Sequence, residues 1–276
     1  MRTMNIRRML TISRPRFWMY LFGPFLLGAT AAYLATGTIP LSGLFLALYF
    51  TFPANLYIYG VNDIFDFDTD VLNEKKKGYE SVVQHSHHRA VWVAILATNI
   101  PFLVLLFFMS PSTTVAIAAF AILGYCYSAP PVRAKARPLL DSASNILYVM
   151  PGIAAFYAFG GTTISIPLVI AGMLWSMAMH AYSAVPDIAA DTQAGLRTIA
   201  TTFGAQGTLL FCFVSYAVAG TIAGVLLGTV GWIALGVYTA AIVMSFRSIT
   251  NLMPIYKQFP LINTVMGAML FFSMIL

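Results

Sequence analysis

The chain has 276 residues, of which 59% are hydrophobic and only 9% are charged, and its formal net charge at pH 7 is +6. A soluble domain usually carries about 25% charged residues, so the composition excludes an ordinary soluble protein and indicates a polytopic membrane protein. The positive charge does not indicate a nucleic-acid-binding protein, because the basic residues stand in short clusters beside hydrophobic runs. Cys126 and Cys212 both lie in apolar runs, which predicts neither a disulfide framework nor a zinc site.

Nine apolar runs are close to the length that crosses a membrane. They lie at about residues 17–36, 41–61, 90–109, 112–128, 139–159, 166–185, 207–228, 230–248 and 260–276. The first run follows a basic segment, as the apolar part of a secretory signal does. It is nearly span length and another span comes next, so we expect a transmembrane span and not a cleaved signal. We therefore expect an all-α protein, a bundle of nine transmembrane helices that forms a single domain over residues 1–276.

The charged residues support this count. All 15 Lys and Arg and all 9 Asp and Glu residues lie in the N-terminal segment or in every second connection after it. These charged segments are residues 1–16, 62–89, 133–141, 187–197 and 247–257. Basic connections face the cytoplasm, so the pattern predicts a cell-membrane protein with its N-terminus inside, its C-terminus outside and any polar site at the cytoplasmic face.

The connection after the second span is the most acidic part of the chain, since four of the nine acidic residues fall within residues 62–70. If the helix continues, at about 100° per residue, four polar side chains share an arc of roughly 100°. These are Asn62, Asp63, Asp66 and Asp70, whereas Asp68 faces the other side. Crowded carboxylates favour a bound cation, and oxygen ligands suit Mg²⁺. The alternative is a solvated acidic helix end.

Two further connections on the same side carry charge. In residues 127–138 a Pro-Pro pair precedes Arg133, Lys135 and Arg137, whose alternate positions would point one way in an extended segment. In residues 187–198 two acids stand four apart, on one helical face, with a basic residue beyond them. These three residues are Asp187, Asp191 and Arg197.

Acids and bases at one membrane face favour a polyanion bridged by metal ions, and diphosphate fits this chemistry. The sequence has no GxxxxGK[ST] or GxGxxG stretch, so a nucleotide-type phosphate loop is excluded. A diphosphate whose remainder dissolves in a membrane is the ligand that remains, and a prenyl diphosphate is such a molecule.

These segments resemble the UbiA superfamily of intramembrane prenyltransferases. The signature NDxxDxxxD is met at residues 62–70, the second acidic motif at Asp187 and Asp191 with Gly195, and a YSxPP stretch at residues 127–131. The resemblance implies a helical bundle whose central cavity opens to membrane lipid and is capped by cytoplasmic loops. It also implies two Mg²⁺ ions that grip an allylic diphosphate.

The site residues follow from the motifs and the resemblance together. The expected metal ligands are Asn62, Asp63, Asp66, Asp70, Asp187 and Asp191, and we expect Asp66, Asp70, Asp187 and Asp191 to be catalytic. The expected diphosphate contacts are Lys75, Lys76, Lys77, Tyr127, Arg133, Lys135 and Arg197. Arg14, His180 and Tyr182 are expected to line the substrate cavity. For the two tyrosines the alternative is an interfacial aromatic belt, and for His180 it is packing.

A narrower likeness, in residues 14–18, 73–80 and 185–188, is to the branch that contains lycopene elongases, which make C50 carotenoids. Many aromatic prenyltransferases have a DxxDD motif, and Ala190 replaces one of its acids here, which disfavours a quinone-type acceptor. The resemblance implies transfer from dimethylallyl diphosphate to a hydrophobic acceptor, lycopene or a related carotenoid. The alternatives are an aromatic prenyltransferase of quinone biosynthesis, a membrane phosphatase and an ion-coupled transporter, although transporter acids usually lie near the midplane.

Overall fold

The computed structural model describes residues 5–67 and 83–276, and within them every regular element is a helix. The α-helices are α1 (Ile6–Ser13), α2 (Met19–Thr36), α3 (Leu41–Tyr49), α4 (Phe52–Phe65), α5 (His88–Leu105), α6 (Pro111–Ser128), α7 (Leu140–Ala143), α8 (Met150–Ala158), α9 (Ile166–Ala184), α10 (Ile188–Gln193), α11 (Ile199–Leu227), α12 (Thr229–Arg247), α13 (Met253–Tyr256) and α14 (Phe259–Ile275). Short 3₁₀ helices lie at Pro15–Phe17, His85–His87, Leu106–Phe108, Ala134–Ala136, Ser144–Tyr148 and Val185–Asp187. The all-α prediction is confirmed.

Eight stretches in the described part of the chain are long and apolar enough to cross a membrane. They are Met19–Thr36, Leu41–Phe65, His85–Phe108, Pro111–Ser128, Ile166–Gln193, Ile199–Leu227, Thr229–Arg247 and Met253–Ile275. Each matches one of the nine predicted spans, with boundaries that differ by a few residues in most cases. The remaining prediction, 139–159, is present as three shorter helices, so nine is approximately the right count.

Polar side chains and a proline occur together in that interrupted segment. Ser144 Oγ and Asn145 Nδ2 both donate to the carbonyl oxygen of Asp141, at 3.1 and 2.6 Å. Such side-chain bonds compete with regular helical pairing, and Pro151 then lacks the backbone N–H that a continuous helix would use. The result is α7, a 3₁₀ turn and α8 in place of one long helix.

The chain forms two compact units. The N-terminal unit contains the described residues of 1–133 together with 150–162, and the C-terminal unit contains 134–149 and 163–276. In the N-terminal unit α4 packs against α1, α5 and α6, and α2 packs against α8. A Cβ atom on Gly28 would lie 2.0 Å from the carbonyl oxygen of Gly152, so α2 and α8 approach this closely only because glycine stands there.

In the C-terminal unit α11 packs against α9 and α12. The buried ring of Tyr216 stacks on Tyr238 at 4.7 Å, and the Tyr238 hydroxyl donates to Asn263 Oδ1 at 2.8 Å, which ties α12 to α14. One residue inside α11 is not helical: Gly204 has φ 67° and ψ 176°. This left-handed φ favours glycine, and it separates residues 199–203 from the body of the helix.

Candidate active site

The first acidic motif lies at the end of α4. The helix ends at Phe65, and Asp66 is its C-cap residue with φ −106° and ψ 3°, so the expected continuation of this helix through Asp66 is wrong. Asn62, one turn earlier, donates from Nδ2 to Asp66 Oδ2 at 2.5 Å and to Ser128 Oγ at 3.1 Å. The Asn62 amide therefore links the first motif to the YSxPP stretch at the end of α6.

The first motif contains the oxygen-bearing side chains that a hard divalent cation prefers as ligands. Asp63 and Asp66 are only 1% and 4% exposed; Asp63 lies in the last turn of α4 with Asn62, and Asp66 caps that turn. The described residues contain no group of three or more His, Cys, Asp or Glu side chains placed to hold a metal ion. Several residues of the prediction lie outside the described residues. They are the expected ligand Asp70, the neighbouring acid Asp68, and the expected diphosphate contacts Lys75, Lys76 and Lys77.

Asp63 has a partner that its position in the motif does not predict. Arg14 Nη2 lies 2.7 Å from Asp63 Oδ1, with the two side chains 12% and 1% exposed. The guanidinium also lies 4.6 Å from the ring centroid of Tyr59. Buried carboxylates need a compensating charge or hydrogen bonds, so Arg14, expected only as a cavity residue, neutralises an acid of the first motif.

The basic connection does not have the predicted form. We expected an extended segment, but Arg133 has φ 41° and residues Ala134–Ala136 form a 3₁₀ turn. Three residues per turn remove the alternation on which the shared direction of Lys135 and Arg137 depended. Lys135 is buried at 8% exposed, whereas Arg137 is exposed. The extended-segment prediction is therefore wrong.

The second acidic motif is helical, as its spacing predicts. Asp187 ends the 3₁₀ helix Val185–Asp187 and is the N-cap residue of α10, and Asp191 lies one turn later. The Leu196 N–H donates to the Asp191 carbonyl oxygen at 2.8 Å and closes the segment. Gly195 has φ 68°, which explains glycine at that motif position. Arg197, just beyond, is exposed.

The predicted aromatic and histidine residues have different surroundings. Tyr127 is half-buried in the last turn of α6. The Tyr182 hydroxyl lies 2.8 Å from Ser245 Oγ and its ring stacks on Phe259 at 4.2 Å, contacts that pack the C-terminal unit. His180 is half-buried on α9, and its carbonyl oxygen accepts from Ser183 Oγ at 2.7 Å.

Sequence reasoning did not single out Asp141. Its carboxylate is 0% exposed and accepts backbone N–H bonds from Ile199 at 2.6 Å and Ser142 at 2.8 Å. One signal was available in the sequence: of the nine acids, Asp141 alone lies outside residues 62–80 and 187–191.

Comparison with known proteins identifies the family. The model of the UbiA prenyltransferase family matches residues 21–254. The chain belongs to the UbiA prenyltransferase family. It is therefore a prenyltransferase, and the resemblance found in the motifs is confirmed.

Relatives by sequence and a solved structure are similar to the chain over most of its length. The chain is 42% identical to a lycopene elongase/hydratase of Halobacterium salinarum over 210 residues, and this alignment covers 75% of the chain and 74% of that protein. It is 38% identical over 273 residues to a lycopene elongase/hydratase of Haloferax volcanii, covering 94% and 85%. A UbiA homologue from Archaeoglobus fulgidus, solved with DMAPP and Mg²⁺, has the same fold, with a TM-score of 0.76 over 97% of both chains at 20% identity.

Proposed function

We propose that this UbiA-family enzyme transfers the prenyl group of dimethylallyl diphosphate to lycopene or a related carotenoid end group, in a reaction that depends on Mg²⁺. The observation that carries the proposal is the identity of 37–42% to three lycopene elongase/hydratases, each over 75% or more of the chain. The lack of the extra acid at Ala190 supports it.

The donor end of the site uses the acids and bases of the cytoplasmic connections. Asn62, Asp63, Asp66, Asp70, Asp187 and Asp191 are the proposed ligands of two Mg²⁺ ions. Mg²⁺, when bound, offsets the charge that develops on the departing diphosphate. The side chains of Lys135 and Arg197, with Lys75 to Lys77, Tyr127 and Arg133, bind the remaining phosphate oxygens.

The acceptor end follows from what the spans contain. Every Lys and Arg lies in the proposed cytoplasmic segments, so a carboxylated aromatic acceptor would compete with diphosphate for the same cations. A long neutral polyene leaves no buried charge unpaired in an apolar cavity. The donor C–O bond breaks with its electron pair on diphosphate, the terminal alkene of the polyene forms the new C–C bond, and the resulting cation takes up water or loses a proton.

The orientation is also part of the proposal. We place the N-terminus and the mouth of the site in the cytoplasm and the C-terminus outside, because charge is confined to the N-terminal segment and every second connection. We also propose that residues 1–276 act as one catalytic domain.

The test is expression in a lycopene-producing bacterial host, with Asp187→Asn as the inactive control. We expect red C40 pigment to be converted into C45 and C50 products by the parent chain only. Conversion of 4-hydroxybenzoate or a naphthoate by the same membranes, with lycopene unchanged, contradicts the carotenoid proposal and supports the quinone-type alternative. Release of phosphate from labelled dimethylallyl diphosphate with no prenylated product would indicate a phosphatase.

A further inference from the structure

Asp141 is a buried acid that the proposed reaction does not use. It is the second residue of α7 and is 0% exposed. Burying a carboxylate is unfavourable unless its oxygens accept hydrogen bonds. The partners of these two oxygens therefore indicate what the residue does.

Both carboxylate oxygens accept from backbone N–H groups. Oδ2 accepts from Ile199 at 2.6 Å, across 58 residues of sequence, and Oδ1 accepts from Ser142 at 2.8 Å. Ile199 is the first residue of α11, and an amide at this position has no acceptor within its own helix. Asp141 supplies that acceptor from another segment of the C-terminal unit.

The hydrogen bond joins two segments that carry proposed diphosphate ligands. On one side, the Asp141 N–H donates to the Arg137 carbonyl oxygen at 2.9 Å, and α7 packs against the 3₁₀ turn that contains Lys135. On the other side, Arg197 lies two residues before Ile199, and the turn ahead of it is closed on Asp191. One buried carboxylate thus connects the backbone of the basic segment with that of the second acidic segment.

The first turn of α11 needs this attachment. The non-helical φ and ψ of Gly204, 67° and 176°, separate residues 199–203 from the remainder of α11. The regular hydrogen bonds of the helix body therefore do not fix that turn. The capping box of Thr198 with Thr201 closes the turn on itself and does not attach it to another segment.

We propose that Asp141 is a positioning residue, which holds Arg197 and the second acidic segment in place relative to Lys135 and so preorganises the diphosphate site. The claim that Asp141 preorganises a diphosphate site rests on the proposed function. The claim that Asp141 attaches the first turn of α11 does not. Asparagine cannot replace Asp141, because it has one acceptor oxygen and would turn an NH₂ group towards one of two backbone donors.

The attachment is tested by hydrogen–deuterium exchange at single-residue resolution. In the parent protein the Ile199 amide should be protected although it is the first amide of a helix. Asp141→Asn should speed its exchange about tenfold or more, as expected when a hydrogen bond to a charged acceptor is lost. The matched control is Asn145→Ala. Asn145 is buried in the same segment, and its side chain donates to the backbone carbonyl of Asp141 at 2.6 Å and not to the Asp141 carboxylate. Unprotected Ile199 in the parent protein overturns the proposal, even if Asp141→Asn fails to fold.

The positioning role is tested by titration with inorganic pyrophosphate and Mg²⁺, and by kinetics. Asp141→Asn should weaken pyrophosphate binding and raise KM for the allylic diphosphate several-fold more than it lowers kcat. Asn145→Ala should lower thermal stability but leave both binding quantities near those of the parent. If Asp141→Asn frees Ile199 yet binds pyrophosphate as Asn145→Ala does, the positioning role is wrong. A parent protein that binds pyrophosphate but never prenylates lycopene contradicts the proposed function and leaves this inference intact.

Discussion

Removing the guanidinium of Arg14 should destabilise the N-terminal unit strongly, because it lies 2.7 Å from a carboxylate that is 1% exposed. Loss of one partner from a buried ion pair costs about 3–5 kcal/mol. At roughly 2–4 °C per kcal/mol for a protein of this size, Arg14→Ala should lower Tm by about 6–20 °C. The measurement is thermal unfolding in detergent at one fixed scan rate, since membrane proteins often unfold irreversibly.

Arg16 provides a matched control in the same segment. It is exposed, and its guanidinium lies 4.6 Å from the ring centroid of Phe17, a contact worth about 0.5–1 kcal/mol at such a site. Arg16→Ala should therefore shift Tm by a few degrees only. Arg14→Ala combined with Asp63→Asn should recover part of the loss, because it removes the buried charge as well. Equal Tm values for the Arg14 and Arg16 variants would refute the reasoning. Stability is the chosen readout because Asp63 is also a proposed metal ligand.

Three further predictions concern the acidic motifs, the orientation in the membrane and the packing of α2 against α8. Asp66→Asn and Asp187→Asn should each lower turnover by orders of magnitude with little change in membrane insertion, whereas Asp68→Asn should be mild; equal sensitivity of Asp68 and Asp66 would contradict the choice of Asp66, and not Asp68, as a metal ligand. In a chain without Cys126 and Cys212, single cysteines at Thr38 or Thr162 should react with an impermeant thiol reagent in sealed cells, and cysteines at Arg137 or Gln193 should not. All four positions are exposed, so the difference would report the side of the membrane. Labelling of position 193 would show that the proposed orientation is reversed. Gly28→Ala should cost about 1–3 kcal/mol, because the new Cβ meets the Gly152 carbonyl oxygen at 2.0 Å, while Gly23→Ala on the same helix, with nothing within 4 Å, should be nearly neutral.

The spans and the family were predictable because they depend on local patterns. Hydropathy and the confinement of charge to alternate connections located eight continuous spans to within a few residues in most cases, and the two acidic motifs identified the family. The segment 139–159 failed to form one helix for a reason that hydropathy does not measure. Asn145 and Ser144 bond to the carbonyl of Asp141 and Pro151 follows them; in a hydropathy average this combination of polar side chains and a proline is outweighed by the apolar residues around it.

The parts of the site that could not be predicted depend on contacts between distant residues. Arg14 and Asp63 are 49 positions apart, and no spacing rule pairs them. Arg133 was expected in an extended segment, but it has a φ of 41° and its N–H donates to the Ala129 carbonyl oxygen at 2.9 Å, which closes a turn around the Pro-Pro pair; sequence gives only a preference for such a turn. The role of Asp141 required knowing where α11 begins in space.

Arg14 and Asp141 also explain how such a protein can hold its polar ends in place. Lipid tails are as apolar as the spans, so the hydrophobic effect does little to fix a connection at the water edge. In the N-terminal unit a cation on the residue after α1 is held against Asp63 of α4, and in the C-terminal unit the Asp141 carboxylate holds the first amide of α11. Each contact involves a buried charge, and removing one partner of such a contact is strongly unfavourable. A buried polar contact therefore fixes local geometry in each unit, close to residues that we propose as ligands of the donor. This is why we expect variants at Asp141 to change binding of diphosphate before they change the packing of the spans.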